Sequence, residues 1–377
     1  MPDARKDSDN TLPPPARLLV RGVNWLGDAV MSTPALLRLR EALPQTHVAL
    51  LTPAKLGGLW SGHPALNEII EIVPGQRLWQ IARQLRAGRF DTALIFPNSL
   101  RSALETWFAG IPRRVGTARP WRNLLLTHAR PRRPGAVEMR KRSTGEIRRL
   151  LAGGATVEPL PPLGPQAHHL HQYLHLSAAL GADPAPLAPL ITVQPSELAA
   201  FRAQLPPGDA PLVGLIPGAE YGPAKRWPAE RFAATAQMLR QQTRCRFLLL
   251  GGAGDRERAG VVAEKIGPEA CLDLTGRTTL RELCAALRAC AVVISNDTGP
   301  MHLAAAVGTP VVALFGGTSP ELTAPGLPND ARHAILSARV PCAPCFLRAC
   351  PADLRCLLRL QPSDVAQAAL ERLPRTG

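Results

Sequence analysis

The stretch Arg17–Leu43, RLLVRGVNWLGDAVMSTPALLRLREAL, sets a short apolar run ahead of a Gly27–Asp28 pair, and an amphipathic segment, Ala29–Leu43, follows. An apolar run of that length, then a turn residue, then helical periodicity marks a strand–loop–helix unit. An acid at this junction has two uses. Asp28 can serve the helix start, or it can face a ligand beyond the carboxyl end of the strand. Thr33–Pro34 offers a competing helix start, with Thr33 as cap and Pro34 as first residue.

Outward from this stretch the rhythm repeats. HVALLTP and DTALIFPNS read as strands, and LRSALETWFAG after the second reads as a helix. The pattern dissolves between Thr127 and Leu163 into Arg-, Pro- and Gly-rich sequence. A helix is expected over His168–Leu180, stopping at Gly181, and ADPAPLAPL follows as a Pro-rich connection. The alternation then restarts. PLVGLIPG, CRFLLLGG, AVVISNDTGP and TPVVALFGG are strand-like, with helical segments between them. Such alternation predicts parallel sheets covered by helices on both faces, here as two Rossmann-like domains with a ligand cleft between them. The expected division is a disordered leader over residues 1–16, a first domain over 17–185 and a second over 186–377. No repeat of solenoid period is present.

The 377 residues suffice for two domains with full cores, and 46% hydrophobic with 19% charged residues is a globular composition. No apolar run approaches the roughly 20 residues of a membrane span, and the start lacks the apolar core of a signal peptide. A net charge of +15 suits nucleic acid, an anionic membrane face or phosphorylated substrates. Much of it is local: Arg113–Arg149 holds twelve Arg/Lys against two acids, Glu138 and Glu146. Aromatic residues make up only 4% of the chain, and no helix-turn-helix or RNA-recognition pattern accompanies the charge, so nucleic acid is not the expected partner.

SNDTGPMHLAAAVGTP, Ser295–Pro310, ends a strand at Ser295, lets backbone approach closely at Gly299 and opens a helix at Pro300. Helix dipole, backbone donors, the Thr298 hydroxyl and His302 would suit a diphosphate there, whereas the plain alternative is an N-cap by Asp297 or Thr298. PGAEYGPAKRWPAERF, Pro217–Phe232, also follows a strand and carries Lys225 and Arg226, as phosphate cations or as a solvated pair. Its Glu220 and Tyr221 count with the nucleotide-sugar side. LLLGGAGDRER lacks the G-x-G-x-x-G spacing; Asp255 in it is a candidate for a ribose. There is no G-x-x-x-x-G-K-[ST], and the one Asp-x-Asp, Asp7–Asp9, lies in the leader. No acidic pair is therefore placed to hold a metal on a diphosphate.

NWLGDAVMSTPAL, PNSLRSAL, FAGIPRRVG, PGAEYGPAKRWP and SNDTGPMHLAAAVGTPVVALFG together resemble glycosyltransferase family 9, the ADP-heptose:lipopolysaccharide heptosyltransferases. The resemblance runs from about Arg17 to Val365 and is thinnest over Thr127–Leu163. It implies an α/β GT-B fold, two Rossmann-like domains facing a central cleft, with the last helix crossing back. It implies inverting heptosyl transfer from ADP-heptose with no required metal, onto an anionic lipopolysaccharide inner-core acceptor at the membrane surface. The enzyme would then be cytoplasmic and peripheral at the inner membrane face. By the same resemblance the catalytic aspartate falls on Asp28 and the phosphate-contacting lysine on Lys225. The ADP-holding set falls on Asp297, Thr298, Gly299 and His302, and the acceptor-side loop on Asn98 and Ser99. A catalytically silent nucleotide-sugar-binding module, or a family transferase with another donor or acceptor, stays open.

VPCAPCFLRACPADLRC packs Cys342, Cys345, Cys350 and Cys356 into a C-x2-C-x4-C-x5-C segment. A structural zinc or other metal, packed free thiols and disulfides all fit that spacing. His171 and His175 stand at i, i+4 in HHLHQYLH without an evident third ligand, and read more simply as a helix face. Cys245, Cys271, Cys284 and Cys290 read as core.

Overall fold

Strands that are apolar on both faces need cover on both faces, and this chain meets that need twice. The computed structural model describes residues 12–152 and 161–374, which divide into two units. The chain up to Ala136 joins His169–Pro189 in the first. The described part of Val137–His168 joins the chain from Leu190 onward in the second. Residues 1–11 of the expected leader lie outside the described residues. Residues 12–16, expected to lack order, are packed: the Leu12 N–H donates to the Ala179 carbonyl at 3.2 Å, and buried Pro15 accepts from Thr46 Oγ1 at 2.7 Å.

In the first unit β1 (Arg17–Arg21), β2 (His47–Pro53), β3 (Glu68–Ile72), β4 (Thr92–Ile95), β5 (Arg113–Thr117) and β6 (His128–Arg130) run parallel in the order β3-β2-β1-β4-β5-β6. Leu18, Leu19 and Val20 of β1 are all fully buried, which is why the strand reads as a continuous apolar run. Leu19 stands between Ala49 of β2 and Ala93 of β4, so a large side chain is flanked by two small ones. The helix Leu78–Ala87 lays Ile81 and Leu85 into the same core.

In the second unit β7 (Leu212–Ile216), β8 (Arg246–Leu249), β9 (Cys271–Asp273), β10 (Val292–Asn296), β11 (Val311–Phe315) and β12 (Ala334–Ser337) are ordered β12-β11-β10-β7-β8-β9. Counted from its own first strand, this is the order of the first sheet. Each sheet therefore has its topological switch point beside that strand, between β1 and β4 and between β7 and β10, where ligands of doubly wound folds bind. The core gathers Phe232, Phe247, Ile294 and Leu314. The last helix, Pro362–Leu370, which the resemblance has crossing back, buries Val365, Ala366 and Ala369 in this same core.

Three local details differ from the periodicity. The expected helix start at Thr33–Pro34 becomes a kink between the helices Leu26–Met31 and Thr33–Ala42, joined at Ser32. Thr33 is not a cap: its buried hydroxyl donates to the Val30 carbonyl at 2.8 Å. The helix expected over His168–Leu180 is Leu170–Ser177 plus a 3-10 turn, Ala178–Leu180, and Gly181 stops it at φ 84°. The segment beginning at Val137 belongs with the second unit and not before a single cut at 185, because its bonds run there. Arg142 donates from its N–H to the Cys345 carbonyl at 3.1 Å and from Nη1 to the Pro341 carbonyl at 2.7 Å.

Candidate active site

At the switch point of the first sheet, β1 leads through Gly22–Trp25 into the helix Leu26–Met31. Gly22 eases a close approach, since a Cβ there would lie 3.1 Å from Leu50 Cδ1 and 3.3 Å from the Leu51 carbonyl oxygen. Trp25 occupies the cap position with extended backbone and no side-chain bond, which leaves Asp28 in the first helical turn. Asp28 is thus not the N-cap, although its charge suits the helix start. The Tyr173 phenol donates to Asp28 Oδ1 at 3.2 Å. Tyr173 is 5% exposed and packs its ring 5.2 Å from that of Phe96. Burial, then the Asp28 charge, holds the phenol well above its ordinary value, so it stays a proton donor at neutral pH. Beneath the loop Arg21 Nε donates to Glu105 Oε2 at 2.7 Å, a buried pair fastening β1 to the helix Leu100–Phe108.

β4 supplies the other loop of this switch point. Ser99 caps the helix Leu100–Phe108, its hydroxyl accepting from the Ser102 N–H at 3.2 Å, while Asn98 is exposed. The two acceptor-side candidates thus lie on the loop after the strand next to that of Asp28.

At the switch point of the second sheet β7 leads into Pro217–Pro228 and β10 into Asp297–Thr298. Here Lys225 Nζ donates to Asp297 Oδ2 at 2.6 Å, and Thr318 Oγ1 donates to the same oxygen at 2.6 Å. Asp297 is 4% exposed, so the carboxylate is held by two strong donors in a nearly dry place. The Lys225 ammonium also sits 5.1 Å from the Tyr221 ring centroid. Asn296, fully buried, ties the two loops together: Nδ2 donates to the Pro217 carbonyl at 2.9 Å, and Oδ1 accepts the Trp227 N–H at 3.0 Å. Thr298 takes the cap position of the helix Gly299–Ala306 without a side-chain bond, and His302 is buried one turn in. Of the remaining candidates, Glu220 is exposed. Asp255 turns back on its own loop, where Oδ2 accepts the Gly252 N–H at 3.1 Å.

The Cys-rich segment buttresses this site. Tyr221 donates its hydroxyl to the Phe346 carbonyl at 2.8 Å, and the Arg348 carbonyl accepts the Ala224 N–H at 3.0 Å. Gly222 is obligatory here, because a Cβ would stand 2.5 Å from the Arg348 carbonyl oxygen. Among the described residues no three His, Cys, Asp or Glu side chains group so as to hold a metal ion, and all eight cysteines are free. Of the alternatives left by the spacing, the structure shows free thiols and no disulfide, and it does not bring Cys342, Cys345, Cys350 and Cys356 together as a ligand set. Burial pushes the Cys342, Cys345 and Cys356 thiols up, the last to about 12. Neither is the His171–His175 pair a metal site: His171 is buried, and His175 Nε2 lies 3.1 Å from the Pro131 carbonyl. Cys245, Cys284 and Cys290 are core, but Cys271 is only half-buried.

Two partners escaped the sequence reading. Tyr173 and Thr318 complete the two carboxylate sites, and only the first had a signal: both tyrosines of the chain, Tyr173 and Tyr221, sit at these sites. The segment without a legible role also acquires one. A cavity of about 220 Å³ in the second unit sets Arg140 and Arg142 from that segment beside Thr318, Ser319, Glu321 and Arg339.

The sequence profile of glycosyltransferase family 9 (heptosyltransferase) matches residues 160–355. Lipopolysaccharide heptosyltransferase 2 of Escherichia coli strain K12 is 32% identical over 82% of this chain and 85% of its own length. Lipooligosaccharide heptosyltransferase 2 of Haemophilus influenzae is 31% identical over the same shares, 82% and 85%. The solved structure of the E. coli ADP-heptose lps heptosyltransferase II superposes with a TM-score of 0.73 at 27% identity, covering 94% of this chain and 98% of that one.

Proposed function

The chain belongs to glycosyltransferase family 9, and on that premise we propose that it is a heptosyltransferase II, moving a heptose from ADP-heptose to the inner core of lipopolysaccharide. The observation that carries the reading furthest is the Lys225–Asp297–Thr318 set at a switch point beside a helix N-terminus. Lys225, anchored by the carboxylate, presents an ammonium of fixed position to the ADP phosphates. The Gly299 N–H at the start of the helix Gly299–Ala306 adds a donor, Pro300 having none and Met301 giving its own to the Thr298 carbonyl, so the charge that develops on departing ADP meets groups already in place.

The transfer is a single displacement with inversion. The acceptor hydroxyl oxygen bonds to the anomeric carbon on the face opposite ADP, the carbon–oxygen bond to the β-phosphate breaks, and ADP leaves with that electron pair. Asp28 takes the hydroxyl proton. Tyr173, protonated at working pH, does not compete for that proton; it fixes the carboxylate by donating to Oδ1. Charge neutralisation by Lys225 and the helix end supplies the role that a metal would otherwise play, so no metal is required. Asn98 and the Ser99 loop face the acceptor, and the Arg113–Arg149 basic stretch attracts its anionic groups. Among the described residues no helix is long and apolar enough to cross a membrane, which suits a peripheral enzyme at the inner face of the cytoplasmic membrane.

A donor screen tests the reading: ADP-, UDP- and GDP-linked sugars with defined inner-core acceptors, following nucleoside diphosphate release and the anomeric configuration of the product. Acceptor-dependent ADP release from ADP-heptose with an inverted linkage is expected. Preference for UDP or GDP donors, or ADP binding without turnover, would replace it with another transferase or a binding protein.

A further inference from the structure

The loop between β5 and β6 does something unusual with its apolar residues. Trp121 and Leu124 are each 82% exposed, well beyond the next most exposed large hydrophobic among the described residues, Trp79 at 59%. The loop that carries them is built to hold them there. Arg122, between the two, is 1% exposed and runs inward: Nη1 donates to the Thr117 carbonyl and Nη2 to the Pro97 carbonyl, both at 2.7 Å. Gly116 makes room for this guanidinium, since a Cβ there would stand 2.9 Å from Nη2. The Arg119 N–H donates to Asn123 Oδ1 at 2.8 Å, and Arg114 Nε donates to the Leu125 carbonyl at 2.7 Å. Trp121 itself is held at φ 64°, a region that a bulky side chain avoids unless its surroundings impose it. The loop is therefore a rigid projection that keeps an indole and an isobutyl group in water.

Along the chain the charge here is of one sign, although Arg113 pairs with Asp91 from the neighbouring strand's start. Residues 113–136 contain seven arginines and no acidic residue. Arg119 lies within the loop, and Arg130, Arg132 and Arg133 follow it on and after β6. Tryptophan and leucine on a cationic rim match a bilayer boundary, where indole prefers the headgroup level and arginine meets anionic headgroups. Single-stranded nucleic acid would want a run of aromatic rings to stack on, and an aliphatic Leu124 offers none. A second copy of the chain would need roughly 800 Å² of buried surface on each partner, more than two projecting side chains supply. We propose that the Trp121–Leu124 loop is a membrane wedge, inserting its two apolar side chains at the surface of an anionic phospholipid bilayer while the neighbouring arginines hold the headgroups.

The inference rests on the reading above that the acceptor is borne by a membrane, and its test keeps the two apart. The full chain is sedimented with vesicles of phosphatidylcholine alone and of phosphatidylcholine mixed with phosphatidylglycerol, and transfer to a deacylated, water-soluble acceptor is measured in parallel. Wild type should bind the mixed vesicles and bind less with added salt. Trp121→Ser/Leu124→Ser should weaken that binding about tenfold or more, with an unchanged melting temperature and unchanged transfer to the soluble acceptor. Trp121→Phe, which keeps an apolar ring, should retain most of the binding. Wild-type failure to bind mixed vesicles, or equal binding by the double variant, would overturn the wedge. So would a double variant whose only change is a lost self-association or lost nucleic-acid binding. Absence of transfer by wild type would count against the transferase reading and leave vesicle binding as its own result.

Discussion

Two sheets of identical strand order place a carboxylate at each switch point, yet the two carboxylates are held in opposite ways. Asp28 accepts from a neutral phenol in the first turn of a six-residue helix and is half-buried. Asp297 is nearly inaccessible and carries both an ammonium and a hydroxyl on one oxygen, each at 2.6 Å. A carboxylate bound to a lysine in a dry site is committed to ion pairing, and what it offers a ligand is the position of the cation. A carboxylate held by a phenol keeps its negative charge uncancelled by that bond and remains able to take a proton. On the proposed reading, one topology thus provides a base in one unit and an anion site in the other, and the difference comes from what packs beside each loop.

The largest effect should come from the base. Asp28→Ala should lower transfer by about a hundredfold or more while leaving ADP affinity near wild type; kcat and ADP binding read separately show whether the first site is chemical. Loss of ADP affinity with turnover preserved would erase the contrast. Lys225→Met should also slow transfer about a hundredfold, but it should destabilise the fold by about 3 kcal/mol as well, because Asp297 then keeps a buried charge without its cation. Adding Asp297→Asn to that variant should recover most of the melting temperature and none of the transfer. Recovery of both would make the pair structural.

Tyr173→Phe should have the smallest effect, about a tenfold loss of rate for one hydrogen bond to a charged acceptor. It carries a second signature in alkali. Burial and the Asp28 charge raise the folded-state phenol above its unfolded value of about 10. Its contribution to stability is therefore complete below about pH 10 and is lost as pH rises through the higher folded value. The melting temperature of wild type should fall more steeply above pH 10 than that of Tyr173→Phe. Parallel curves would show that the phenol is not held as described.

Much of this was legible before any tertiary structure. The strand-length runs at Arg17–Arg21, Leu212–Ile216 and Val292–Asn296, and the loops after them, located both switch points, because burial on both faces leaves an uninterrupted apolar record in sequence. Asp28, Lys225 and Asp297 were singled out for the same reason: they sit where strand turns to helix. The alternative helix start at Thr33–Pro34 does open a second helix, but the cap is Ser32 and not Thr33, because a hydroxyl beside a proline looks the same whether it caps its own helix or back-bonds to the preceding turn. The cysteine spacing was ambiguous because spacing along the chain does not determine how four sulfurs converge.

By itself, then, the sequence determined the periodic units, their repetition and the loops where chemistry belongs. These depend on near neighbours along the chain and on which faces are apolar. Only the tertiary structure decided that Tyr173 serves Asp28 from 145 positions away, that Lys225 and Thr318 meet on Asp297, and that the segment after Val137 supports the second unit. It also decided that Arg122 turns inward so that Trp121 and Leu124 face out. Such pairings depend on which side chains the packed core brings within hydrogen-bond reach, and no local periodicity carries that information.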